Sequence, residues 1–180
     1  NTIDFFVEIK QTEKVNETVY LPSNDKKDIM PYNILNLYIG YDVKNHGLLE
    51  PQKKVFEGVQ TNKKVPYSYT KELFKPTHPI DNYSHICYIP CSQDTNQNNI
   101  LYAENKDIIE NEMIVEFKYT FNEDKRLSWV PIRVRYDKTY EYKKTKKQFG
   151  NSFHVANSNW YSIHNPVTKE MITQNKKSLH

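Results

Sequence analysis

Three cations and one carboxylate crowd into the run SWVPIRVRYDKT at 128–139 of this 180-residue chain: Arg133, Arg135, Asp137 and Lys138. Arg133 and Arg135 stand two apart. On an extended strand their side chains leave the same face, and Asp137 continues that face. A guanidinium is a planar fork that matches pairs of phosphate oxygens, and an ammonium is a mobile point charge. Together they are what a protein needs to grip a polyphosphate. Trp129, Pro131, Ile132, Val134 and Tyr136 give the run bulk and β-propensity, so a strand over 129–136 is expected to carry this charged tip.

A second set of cations follows at once. YEYKKTKKQFG places Lys143, Lys144, Lys146 and Lys147 where they could contact nucleic-acid phosphates or form a solvated face. The net charge of +3 is unevenly spread. Residues 1–117 hold 12 Lys/Arg against 17 Asp/Glu, and residues 118–180 hold 13 against 5. A basic C-terminal third points to a nucleotide or nucleic-acid partner. Cys87 and Cys91, with His85 beside them, do not complete a tetrahedral zinc site, and their spacing is not that of a zinc knuckle. Free thiols and no metal site are expected. No apolar run is long enough to span a bilayer, so no membrane partner is expected.

The elements that position these residues read as mainly β. TIDFFVEIK alternates apolar and polar residues over 2–10, a half-buried strand. NILNLYIGYDV at 33–43 is a second strand, in which Gly40 is expected to mark a bulge or sharp bend. Weaker strands are expected at 53–60, 85–89 and 100–103, and SYTKELF at 68–74 as one helical turn. MIVEFKYT at 113–120 is expected to pair with 129–136 across the loop FNEDKRL. The period then changes. Phe153, Ala156, Trp160 and Ile163 fall at helical spacing, so a helix is predicted over 152–163, with a short second helix from Asn165-Pro166 to about Gln174. Short strands followed by helices fit one domain over 1–180. Its expected form is an oligonucleotide-binding (OB) fold barrel over about 1–140, with loop insertions in 44–112 and a helical part over about 150–175.

Three segments carry a family resemblance. Arg135, Asp137 and Lys138 match the R-x-D-K motif that resembles the C-terminal signature of the covalent nucleotidyltransferases, mRNA guanylyltransferases and ATP-dependent polynucleotide ligases. NTIDF at 1–5 resembles the segment leading into the OB domain of capping enzymes. VANSNWYSIHNPVTKEMI at 155–172 resembles the helix after the motif in guanylyltransferases. The phrasing is closest to capping enzymes of large cytoplasmic DNA viruses or cytoplasmic linear plasmids.

The resemblance implies an OB lid that closes on GTP and orients its β- and γ-phosphates while a lysine forms lysyl–GMP. GMP then passes to the 5′-diphosphate end of RNA. Arg135 and Lys138 would clamp the phosphates and Asp137 would order them. Arg133 would be either a further phosphate ligand or a structural ion-pair partner, and Trp129 would belong to the core. The nucleophile motif Lys-x-Asp-Gly is absent from the 180 residues. The resemblance therefore implies a nucleotidyltransferase domain upstream, with GTP and a divalent metal (Mg or Mn) used by the longer enzyme and neither held by this piece alone. Further implied partners are RNA and a cap guanine methyltransferase, in the cytoplasm, in a viral factory or a virion. A ligase lid, a non-catalytic single-strand-binding module and a structural adaptor are the alternatives.

Overall fold

The computed structural model describes residues 1–13, 15–22, 28–46, 69–93 and 99–166. The strand expected at 53–60 and nearly all of the helix expected to start at Asn165 lie outside these residues. The organising strand is β1, Thr2–Ile9. Ile3, Phe5 and Val7 point into the main core with no exposed surface, but Asp4 and Phe6 between them are buried as well, so the strand is covered on both faces rather than half-buried as expected. After a two-residue hairpin, β2 (Gln11–Thr12) and β3 (Val15–Asn16), the chain enters β4 (Thr18–Pro22) and the long β5 (Ile29–Asp42). A short helix α1 (Val43–His46) follows.

β6 (Tyr69–Leu73) lies where a helical turn was expected. It pairs antiparallel with Tyr38–Asp42 of β5, and this partner overrides a weak local preference. β7 (Ile86–Pro90), β8 (Ser92–Gln93), β9 (Asn99–Tyr102) and β10 (Ile108–Ile109) precede the hairpin of β11 (Met113–Tyr119) and β12 (Trp129–Val134). Two helices close the described chain, α2 (Tyr136–Thr145) and α3 (Phe153–His164). The latter agrees with the predicted period.

Seven strands form one antiparallel sheet, ordered β12-β11-β1-β5-β4, with β6 and β7 on the other edge of β5. Its two ends approach each other. Cys87 Sγ of β7 donates to the Trp129 carbonyl of β12 at 3.2 Å. Backbone N–H groups of Glu104 and Asn105 donate to the carbonyls of Pro131 and Ile132. No strand ladder joins β12 to β7 among the described residues, so these contacts bring the ends together without the continuous closed barrel expected from sequence. The fold is mainly β with C-terminal helices.

The main core packs Phe5 against Phe74 and Trp129, with ring centroids 5.1 and 5.0 Å apart. Trp160 of α3 seals one end, and both tryptophans are satisfied, Trp129 Nε1 donating to Ser84 O and Trp160 Nε1 to Pro79 O. A smaller cluster of Phe6, Ile114, Tyr142 and Phe149 lies on the opposite face of the sheet, under α2. Gly40 does not make a bulge, because its strand keeps register from Tyr38 to Asp42. It makes room: a Cβ there would lie 1.8 Å from the Tyr69 hydroxyl.

Candidate functional site

β12 presents its cations through an irregularity. Glu116 pairs with Arg133, but Phe117 pairs with Pro131, so Ile132 is an extra residue. Trp129 and Pro131 are buried. Strict alternation would send Arg133 into the core behind them. The bulge turns Arg133 outward and returns Val134 to the interior.

The strand ends two residues sooner than expected. Arg135 sits at the strand–helix junction with φ −88° and ψ 80°, and α2 begins at Tyr136. The peptide of Ile114 forces this change. Its carbonyl accepts from Arg135 N at 2.8 Å, and its N–H donates to the hydroxyl of the buried Thr139 at 2.9 Å. Asp137 and Lys138 therefore do not extend a strand face. The first turn of α2 curls them back beside Arg135, and a carboxylate in a first helical turn is favoured by the helix dipole.

These side chains close on a residue that the sequence reading passed over. Arg135 Nη1 and Lys138 Nζ each donate to the same oxygen, Asp4 Oδ2, at 2.6 Å. Asp4 comes from β1 and its side chain is 7% exposed, while those of Arg135 and Lys138 are 24% exposed. Arg135 Nε and Nη2 also face the two oxygens of Asp137 at 3.3 and 3.2 Å. Arg133 Nε donates to Glu116 Oε2 at 2.6 Å, and Thr2 donates to the other oxygen at 2.8 Å. Three cations thus meet three carboxylates, and the cluster is neutral. Hydrogen bonding from Arg135 holds the Asp137 carboxyl below its usual range, and Asp137 with Asp4 raises the Arg135 guanidinium. At Glu116 burial acts to raise the carboxyl, but hydrogen bonds from Thr2 and Arg133 outweigh it and the value falls.

Asp4 is itself held by the turn before α3. Its N–H donates to Asn151 Oδ1 at 2.7 Å, and its carbonyl accepts from Asn151 N at 2.8 Å. Gly150 has φ +79°, and a Cβ there would lie 2.3 Å from the Asp4 carbonyl oxygen. The segment FGNS at 149–152 therefore docks on β1 where the ion cluster forms. The available signal for Asp4 was a carboxylate inside a strand whose neighbours Ile3, Phe5 and Phe6 are all core formers. Such a carboxylate has to find cations.

The lysine run does not join this cluster. Lys143 and Lys144 are exposed in the last turn of α2, where positive charge complements the helix C-terminus. Lys146 adopts φ 56°, with Nζ 4.4 Å from the Tyr142 ring and 3.9 Å from Glu112 Oε2. Lys147 is exposed. Elsewhere, Cys87 and Cys91 are free and buried, and burial pushes both thiols up. Trp129 is a core residue. A surface groove of about 580 Å³ on the far side of β12 is lined by Tyr32, Tyr88, Tyr102, Lys106 and Pro131. Of these, Tyr88 is already covered by the Arg126 guanidinium, 5.0 Å from its ring centroid. No helix among the described residues is long and apolar enough to cross a membrane.

The chain is similar to a stretch of the probable mRNA-capping enzyme of Acanthamoeba polyphaga mimivirus, 27% identical over 177 residues. The match covers 96% of this chain and 12% of that relative, so the chain spans about an eighth of its length. No family model and no solved structure matches the chain.

Proposed function

We propose that this chain is the lid of an mRNA guanylyltransferase, with Arg135 and Lys138 as the groups that close on the β- and γ-phosphates of GTP. One observation supports this most. The two cations converge on a single anionic oxygen, Asp4 Oδ2, at 2.6 Å each. A carboxylate oxygen there stands where a phosphate oxygen would sit. The likeness to a stretch of a capping enzyme supports the reaction class.

In this reading a lysine amine on an upstream nucleotidyltransferase domain attacks the α-phosphorus. A P–N bond forms, the bond to the bridging oxygen breaks, and pyrophosphate leaves. Positioning and charge neutralisation carry most of the catalysis in such a transfer. Arg135 and Lys138 neutralise the departing charge, and Asp137 keeps the Arg135 fork oriented. Arg133, paired with Glu116, takes the structural role of the two weighed for it. The lid then opens, pyrophosphate leaves and the 5′-diphosphate end of RNA enters, passing the exposed Lys143, Lys144 and Lys147. A divalent cation, Mg or Mn, accompanies GTP in this chemistry. The described residues offer no group of three or more carboxylates, imidazoles or thiols to hold it. A methyltransferase domain or subunit is a further partner of the longer enzyme.

The test is labelling of the longer polypeptide with radioactive GTP or ATP, followed by a chase into diphosphate-ended RNA. A GTP-derived adduct that chases into RNA is expected. An adduct formed from ATP instead would make this a ligase lid and overturn the proposal.

A further inference from the structure

We infer that Asp4 is a built-in counter-anion that a polyphosphate must displace before Arg135 and Lys138 can bind it. The inference rests on reading those two residues as phosphate ligands. Arg135, Lys138 and Arg133 are balanced by Asp4, Asp137 and Glu116, so the cluster presents no net charge to an approaching anion. Lys138 takes its ion pair from Asp4, and Arg135 shares the same oxygen. Asp4 has the least exposed side chain of the three acids, and Asn151 fixes its backbone through both the N–H and the carbonyl.

Displacing it leaves a carboxylate with little solvent around it, which is costly. A weak anion such as orthophosphate does not repay that cost. A polyphosphate, which offers several oxygens to both cations, does. Asp4 therefore acts as a specificity-determining residue that sets a threshold favouring polyphosphates.

The test uses the 180-residue chain, inorganic tripolyphosphate and an amine-acetylating ester, with acetylation of each lysine followed by mass spectrometry. Asp4→Asn is expected to raise the Lys138 acetylation rate at least threefold. The exposed Lys143 and Lys144 of the same variant are expected to keep their wild-type rates. Tripolyphosphate should protect Lys138 at a concentration at least fivefold lower in Asp4→Asn than in the wild type. An unchanged Lys138 rate in Asp4→Asn overturns the inference.

The wild-type chain gives a second measurement that needs no variant. Its Asp4 carboxyl carbon resonance should move on adding tripolyphosphate and stay put with equal orthophosphate. Lys138 and Arg135 signals that move while Asp4 does not also overturn the inference. If tripolyphosphate shifts and protects nothing in either protein, the phosphate reading of the motif has failed. A raised Lys138 rate in Asp4→Asn would still report the ion pair.

Discussion

The two ends of α2 carry similar numbers of cations and use them differently. At the N-terminal end, Arg135 and Lys138 are three-quarters buried in their side chains, hydrogen-bonded and aimed at one oxygen. At the C-terminal end, Lys143 and Lys144 are exposed on a face with no ion pair among the described residues. Six residues of helix, about 9 Å, separate Lys138 from Lys144. Charge alone does not distinguish the ends. The difference lies in what stands behind each: β1, β11 and the 149–152 turn fix the first end, and solvent surrounds the second. A cation becomes a site when its position is over-determined by packing and hydrogen bonds.

The sharpest way to break this contrast is to loosen the support. Gly150→Ala forces a Cβ against the Asp4 carbonyl at a positive φ, and should destabilise the chain by on the order of 3 kcal/mol in urea unfolding. Next comes the junction. Thr139→Val removes the acceptor for the Ile114 N–H and leaves a buried donor unpaired, for about 1–2 kcal/mol. Both changes lie at the supported end, and if either were neutral the contrast would fail.

A smaller effect is expected in acid. The Glu116 carboxyl is depressed in the folded state below its usual 4.5. A depressed value means that the group stabilises the fold above its ordinary pKa and loses that stabilisation as pH falls through the folded one. Glu116→Gln should therefore lower stability at neutral pH and flatten the part of the acid limb below pH 4.5 that Glu116 supplies. The smallest effect belongs to the other end. Lys143→Ala, Lys144→Ala and Lys147→Ala together should change stability by less than ~0.5 kcal/mol. If these lysines meet RNA, the slope of log affinity against log salt should fall by about 0.9 per lysine lost for a duplex end and less for a single strand.

Much of the fold was legible because its cause is local. Ile3, Phe5 and Val7, and Met113, Val115 and Phe117, recur at every second position, and Phe153–His164 shows the helical period. What was not legible depends on partners distant in sequence. Nothing in RVRYDKT says that the strand stops at Val134. The stop is set by Ile114 and Thr139, 25 residues apart. Tyr69–Leu73 is a strand because β5 offers it an edge. The bulge at Ile132 was hidden in plain view: Trp129 and Pro131 facing inward and Arg133 facing outward cannot share an unbroken alternation. The candidate cations were found by type and spacing, but their partner Asp4 was not. Its side chain lies 131 residues from Arg135 in the chain, and only the stacking of β1 under α2 joins them.

The most direct test of the phosphate-grip account is protein–GMP adduct formation by the longer polypeptide from GTP. Arg135→Ala and Lys138→Ala, checked as folded, should each reduce the labelling rate by at least two orders of magnitude. The triple variant at Lys143, Lys144 and Lys147 should label at the wild-type rate. Normal labelling in either motif variant would contradict the account.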